Sequence, residues 1–152
     1  MIRITIDDEE TLDQLCTVYA NRLNAASRGA RYAMNAKKQR FKELVWERAK
    51  VEGTPATGDP VMAIYTLTLP RCDWDAPIKA LQDAIQEYIG CKDDRVIRYA
   101  CTFLVRPGKE SRKRPARPRQ IVVELFNAIE EKEDILARMF HLLDWGAACY
   151  AR

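Results

Sequence analysis

A strand pattern, a helix pattern and a second strand pattern follow one another between residues 61 and 105, and this order constrains the fold most. Residues 61–69 are rich in β-branched and aromatic side chains and stop at Pro70, which is typical of a strand. Apolar residues then recur at helical spacing from Asp75 until Gly90 ends the pattern. Residues 95–105 again have a strand pattern. This segment therefore predicts a strand–helix–strand unit.

The remaining patterns extend this unit to one mixed α/β domain over residues 1–152. Strand patterns also cover residues 2–6 and 120–126, helical patterns cover about 8–26, 35–51 and 128–143, and loop compositions cover 27–29, 52–60 and 106–119. The apolar side of the last helix consists of Ile129, Leu136, Met139, Phe140 and Leu143. The predicted order is β-α-α-β-α-β-β-α, with a mixed sheet of about four strands flanked by helices.

Composition narrows the protein class. The chain of 152 residues is long enough for one self-sufficient core. No apolar run approaches the roughly 20 residues of a membrane span, and the acidic start fits neither a signal nor a transit peptide. Five scattered cysteines without a C-x-x-C pair fit reduced thiols, so we expect a cytoplasmic protein. One histidine makes histidine-based catalysis and most zinc sites improbable.

The net charge is only +3, but the charges are unevenly distributed. Residues 22–50 carry nine Lys/Arg against two acids, residues 106–119 carry seven against one, and residues 1–13 carry one against five acids. Two basic segments indicate either a nucleic-acid partner or an unevenly charged, solvated surface. The candidate DNA-binding residues are Arg106, Lys109, Arg112, Lys113, Arg114, Arg117 and Arg119 of the basic loop, and Arg31, Lys37, Lys38 and Arg40 of the helix.

Carboxylates cluster on both sides of the helix that begins at Asp75. Asp73 and Asp75 follow the first strand of the unit, and Asp93-Asp94 precede the second. If those two strands are neighbours, we expect both acidic groups at the same end of the sheet. Clustered carboxylates repel one another, and Mg²⁺ or Mn²⁺ would relieve that repulsion. With Lys79 nearby, this composition suits a metal-dependent nuclease.

Each of these residues also has a purely structural interpretation. Asp75 can cap the helix ahead of Ala76 and Pro77. Asp93-Asp94 can form a solvated turn, and Lys79 can pair with Asp83 one turn along the helix. Spacing alone does not decide whether these carboxylates form a metal site or a solvated surface cluster.

A longer motif resembles a known family. The residues Asp73-Trp-Asp75-Ala-Pro-Ile-Lys79-x3-Asp83, followed by Asp93-Asp94-x-Val96, are similar to the D-x-D-N-x-x-K-x3-D…DD-x-V signature of the RusA-type Holliday-junction endodeoxyribonucleases of bacteria and phages. The resemblance covers roughly residues 61–126, including the preceding strand, the basic loop and the final strand. Residues 1–30 and 128–152 are helical additions to that core.

The resemblance implies a homodimer of RusA-like fold that binds four-way DNA junctions and cuts opposed strands with Mg²⁺ or Mn²⁺, in recombination and repair. Asp73, Asp75 and Asp94 would be the metal ligands and Lys79 the basic residue at the phosphate; Asp93 matches the first acid of the family pair. Ala76 stands where the family has Asn, and the family's N-terminal Pro-Pro-Ser-x-Asn segment is absent. A nuclease for flaps or forks, a non-catalytic DNA-binding protein that keeps the fold, and an unrelated small binding protein are the alternatives.

Overall fold

The computed structural model describes residues 1–20, 28–53, 60–69, 75–85, 97–105 and 118–150. Of residues 16–20, 28, 30–32, 34, 75–77, 79 and 145–150 it describes the helical backbone alone. The elements are β1 (Ile2–Ile6), α1 (Glu9–Ala20), α2 (Arg28–Arg48), β2 (Lys50–Gly53), β3 (Val61–Thr68), α3 (Asp75–Ile85), β4 (Ile97–Val105), β5 (Gln120–Asn127) and α4 (Lys132–Tyr150). The predicted mixed α/β class is confirmed.

The described strands form a single mixed sheet in the order β2-β1-β5-β3-β4. β3 and β4 are parallel, whereas the other neighbouring pairs are antiparallel. Parallel neighbours need a long crossover connection, and the predicted strand–helix–strand unit supplies one through α3. The unit is therefore confirmed as two adjacent strands with a helix between them in sequence.

Helices cover both faces of the sheet. The larger core lies between the sheet and α1, α2 and α3, and it takes Val61, Ala63 and Tyr65 from β3. The smaller core lies under α4 and takes Ile64 from the opposite face of the same strand. Because β3 is apolar on both faces, it has a continuous apolar run rather than an alternating one.

A fifth strand, β2, corrects the expectation of about four. It lies where the second helix pattern was expected to end and the loop to begin, and it pairs antiparallel with β1 through Ile2↔Gly53 and Thr5↔Lys50. All four of its residues are exposed, so no apolar pattern marks it. Gly53 has φ +89°, and a Cβ there would lie 2.5 Å from the carbonyl oxygen of Met1. The strand therefore depends on pairing and on one glycine.

The predicted break at residues 27–29 is wrong for Arg28 and Gly29, which belong to α2. A Cβ at Gly29 would meet nothing within 4 Å, so the glycine occupies an open helical position. A glycine in a helix costs only about 1 kcal/mol, which α2 can offset by packing Phe41, Leu44 and Val45. The predicted end of the first helix, at residues 21–26, lies outside the described residues.

The last helix begins later than predicted. The Asn127 side-chain oxygen accepts hydrogen bonds from the backbone N–H groups of Ile129 and Glu130, both at 3.0 Å. The Glu131 carboxylate accepts the N–H of Asn127 at 2.7 Å. These bonds hold residues 128–131 as a turn, and α4 follows from Lys132. Burial alone would raise the pKa of Glu131, but hydrogen bonds from the Met1 amino group and from the Asn127 N–H outweigh it and lower that pKa.

The sheet-facing side of α4 also differs from the predicted apolar side. Ile135, Leu142 and Met139 pack against the sheet. Of the predicted set only Met139 does so, whereas Ile129, Leu136, Phe140 and Leu143 are exposed. The apolar stripe of this helix is thus wider than the surface that the sheet covers. No helix among the described residues is long and apolar enough to cross a membrane.

One buried ion pair joins α4 to the sheet. Glu124 of β5 faces α4 and is 2% exposed. Its carboxylate accepts a hydrogen bond from Arg138 at 2.6 Å, and Arg3 lies 3.9 Å away. A buried carboxylate without such a partner is costly, so Arg138 fixes the lateral position of α4 on the sheet.

We expect Arg138→Met to lower the free energy of unfolding by about 2 kcal/mol, because it strands the Glu124 charge in the interior. The double variant Arg138→Met with Glu124→Leu should recover most of that loss, since it removes both charges at similar volume. Urea unfolding followed by circular dichroism measures the difference. Arg40→Met, on the exposed side of α2, is the matched control. Additive losses in the double variant would contradict the ion-pair argument.

Candidate functional site

Packing holds the second half of the helix that carries Asp75 and Lys79. α3 begins at Asp75, six residues after the buried Leu69 that follows β3. Its inner face consists of Ala80, Leu81, Ala84 and Ile85, all within the larger core. The indole N–H of Trp46 donates to the Ala84 carbonyl at 2.8 Å and ties α3 to α2. The sheet and α2 therefore fix the second half of this helix.

Two of the predicted metal and catalytic positions can be located. Asp75 and Lys79 are four residues apart in α3, so they occupy successive turns on one face of the helix. Asp83 lies one turn further along the same face and is half-buried. Asp73, Asp93 and Asp94 lie outside the described residues. Asp75 is the first residue of α3, and this position is compatible both with a role in starting the helix and with a role as a metal ligand.

The direction of β4 corrects the reasoning about the two acidic groups. β3 and β4 are neighbours, as that reasoning required, but they run parallel with Val61 beside Ile97 and Thr68 beside Val105. The end of β3 and the start of β4 therefore lie at opposite ends of the sheet. Eight strand residues separate them by about 23 Å. Adjacency of the strands does not by itself bring Asp94 close to Asp75.

A common site for the acidic groups thus depends on the connection at residues 86–96, which lies outside the described residues. Among the described residues, no group of three His, Cys, Asp or Glu side chains could hold a metal ion. The carboxylates of the motif are nevertheless the oxygen ligands that Mg²⁺ prefers.

The basic segments are described only in part. Arg106, Lys109, Arg112, Lys113, Arg114 and Arg117 lie outside the described residues, and Arg31 is placed in α2 by its backbone alone. Lys37 and Lys38 are half-buried in α2, while Arg40 is exposed. Arg119 lies just before β5 and is 31% exposed.

The acidic first helix neutralises part of the basic surface, a feature that the sequence reasoning missed. Arg119 donates to Asp13 of α1 at 2.7 Å. Arg40 lies 3.7 Å from Glu10 of α1 and 3.7 Å from Glu43 in its own helix. The opposite net charges of residues 1–13 and 22–50 were the available signal.

Asp8 completes this set of contacts. It precedes α1 and accepts hydrogen bonds from the Thr11 hydroxyl at 2.7 Å and the Thr11 N–H at 2.9 Å, so it caps the start of α1. Those bonds, assisted by Arg48 at 2.9 Å, lower the pKa of Asp8 against the opposing effect of desolvation. Arg48 also lies 2.7 Å from Glu10. The carboxylates of α1 are thus held against three arginines.

If Arg40 and Arg119 contact DNA, they must exchange these carboxylates for phosphates. We then expect Asp13→Asn and Glu10→Gln each to raise the affinity for DNA by about two- to fivefold at low salt, because each removes a carboxylate that competes with phosphates for an arginine. Fluorescence anisotropy with a labelled duplex or four-way junction measures this change. Glu130→Gln removes the same charge from the turn before α4 and is the control. Equal effects from all three variants would mean that only net charge matters.

Comparison of the chain with protein-family models, with curated proteins and with solved structures finds no match. The resemblance to the RusA-type enzymes therefore rests on the motif between Asp73 and Val96 and on the order of elements around it. Within that order, the described elements are a strand, a helix and two further strands, β3, α3, β4 and β5. Membership of that family is therefore a proposal.

Proposed function

We propose that this chain is a metal-dependent endodeoxyribonuclease that binds four-way DNA junctions and resolves them by paired symmetric nicks. The observation that carries the proposal is the start of α3. A buried central strand is followed by a helix that begins at Asp75 and bears Lys79 one turn later, within the quoted motif. Such a helix start gives acidic and basic groups a fixed position beside a phosphate.

The residue types of the motif fit a divalent cation. Asp73, Asp75 and Asp94, with Asp93 as a further candidate, would hold Mg²⁺ or Mn²⁺, because carboxylate oxygens are the ligands these ions prefer. A bound ion would supply polarisation of the scissile phosphate and an acidified water. The ammonium group of Lys79 would stabilise negative charge on a phosphate oxygen. The basic loop and α2 would bind the arms of the junction through their phosphates.

A non-catalytic DNA-binding protein is the second candidate. The parallel direction of β3 and β4 favours it, because the strand ends beside the two acidic groups are about 23 Å apart. Ala76 in place of the family's Asn favours it as well. A protein of this kind would keep the affinity for junctions and would lack cation-dependent cleavage.

Cleavage of a labelled synthetic four-way junction with Mg²⁺ or Mn²⁺ separates the two candidates. We expect paired symmetric nicks from the wild type and a loss of at least 100-fold in rate for Asp94→Asn and Lys79→Ala, because each removes charge needed at the phosphate. Junction affinity, measured in parallel by anisotropy, should change by less than a few fold. Asp134→Asn, an exposed carboxylate of α4, is the matched control.

The other outcomes are equally informative. Tight junction binding without cleavage under either metal would establish the non-catalytic candidate. Cleavage of flaps and forks as rapid as that of four-way junctions would indicate a nuclease of broader specificity. Absence of DNA affinity at low salt would contradict both candidates and leave the acidic groups as surface features.

A further inference from the structure

The last helix leaves a row of large apolar side chains uncovered. Leu136, Phe140 and Leu143 of α4 are 46%, 65% and 56% exposed, and Ile129 in the preceding turn is 71% exposed. A helix-type backbone hydrogen bond of 3.0 Å closes that turn, so Ile129 lies on the same side as Leu136, two turns earlier. We call these four residues the α4 stripe.

The α4 stripe lies on the β4 side of its helix. On the other flank of α4, Arg138 reaches Glu124 of β5. In the sheet order, β4 lies beyond β3 on the side away from β5. Tyr99 of β4 is 56% exposed and pairs with Met62 of the smaller core, so it lies on the α4 face of the sheet. The stripe and Tyr99 therefore border one shallow apolar groove.

Acidic side chains border the α4 stripe on its solvent side. Around the helix axis the stripe residues of α4 span about 60°, and the exposed Glu133 and Asp144 follow within about 40° of Phe140. Lys132 lies on the other side of the stripe, toward the sheet. The helix dipole favours an acid in the first turn, but Asp144 lies well beyond that turn. Among the described residues, the outer border of the stripe thus carries only negative charge.

The position and size of this surface suit a binding site. The buried pair between Arg138 and Glu124 fixes α4 on the sheet, so the stripe is rigid before a partner arrives, which lowers the entropic cost of binding. The stripe and Tyr99 present roughly 500 Å² of apolar area, at the upper end of what monomers leave bare. A standard interface buries about 800 Å² per partner, so we expect a transient complex.

The acidic border distinguishes among the possible occupants. It repels phosphate groups, so the surface does not suit DNA or an anionic membrane. Antiparallel pairing of two α4 helices would set Glu133 of one copy against Asp144 of the other, and like charges across an interface are unfavourable. Parallel pairing would set Asp144 beside residues 139–150, which contain no Lys or Arg. Neither pairing of two copies neutralises both acids.

We propose that the α4 stripe binds an amphipathic helix of another protein, whose apolar residues recur at i, i+4 and i+7 and are bordered on one side by Lys or Arg. Helices of this kind dock into apolar grooves through anchors at that spacing. The basic side chains of the partner would pair with Glu133 and Asp144 and fix its orientation. α4 lies outside residues 61–126, which carry the family resemblance, and this inference does not depend on nuclease activity.

Fluorescence anisotropy of a labelled, hydrocarbon-stapled helical peptide with the full chain tests the proposal. The probe has about 16 residues, with leucine at i, i+4, i+7 and i+11 and lysines along one border of that row. The matched peptide has glutamates in place of the lysines. At low salt we expect the lysine peptide to bind about fivefold more tightly or better, because only its charges complement the acidic border. Phe140→Gln should weaken its binding about tenfold, since it removes an apolar anchor.

Charge reversal tests where the peptide binds. The double variant Glu133→Lys with Asp144→Lys should reverse the preference and bind the glutamate peptide more tightly. Glu130→Lys with Asp134→Lys makes the same change in net charge at exposed residues away from the stripe, so it is the matched control and should keep the preference for lysine. Circular dichroism and thermal unfolding check that all variants fold.

Four outcomes would overturn the proposal. These are a lack of binding of either peptide at about 100 μM, equal affinities for the two peptides, and a reversed preference in the control variant as well. The fourth is a dimer in sedimentation equilibrium that Phe140→Gln dissociates, because a second copy would then be what covers the stripe.

Discussion

Strand β3 is the element on which the rest of the structure depends. It pairs with β5 on one side and with β4 on the other, and its side chains enter both cores. Burying its apolar run on both faces requires helices on both sides of the sheet. α3 is the next helix along the chain and packs in the same core as β3, so this packing sets the course of the helix that carries Asp75 and Lys79. Any chemistry of the motif rests on that packing.

Ion pairs connect the acidic residues before and within α1 to arginines, two of which are candidate DNA-binding residues. Asp8, Glu10 and Asp13 lie against arginines from α2 and from the residue before β5. Such pairs contribute little to stability when exposed, but they compete with phosphates for the same guanidinium groups. The acidic helix would therefore act mainly on the affinity for a polyanion and on its salt dependence. The buried Glu124–Arg138 pair is different, because it positions α4.

The two outer strands of the described sheet, β2 and β4, differ in length and in charge. The β2 edge is short and charged, whereas the β4 edge is long and apolar and continues into the exposed flank of α4. The candidate active site follows β3, the neighbour of β4.

The sequence alone determined those elements whose side chains repeat with a clear period. The alternation of Ile2, Ile4 and Ile6, the run in β3 and the helical spacing in α3 each encode local structure directly, because the period decides which residues can be buried together. It also provided the motif behind the functional proposal. The sequence did not predict β2, because pairing with β1, rather than any apolar pattern, makes it a strand.

Only the tertiary structure decided how these elements are directed and what each face meets. The parallel direction of β4 is set by the crossover through α3 and the sheet order, and it places the end of β3 and the start of β4 far apart. The exposed flank of α4 depends on how much of its apolar stripe the sheet can cover. The arginine–carboxylate pairs join residues as many as 106 positions apart. Contacts of that kind depend on the path of the whole chain, which no local period specifies.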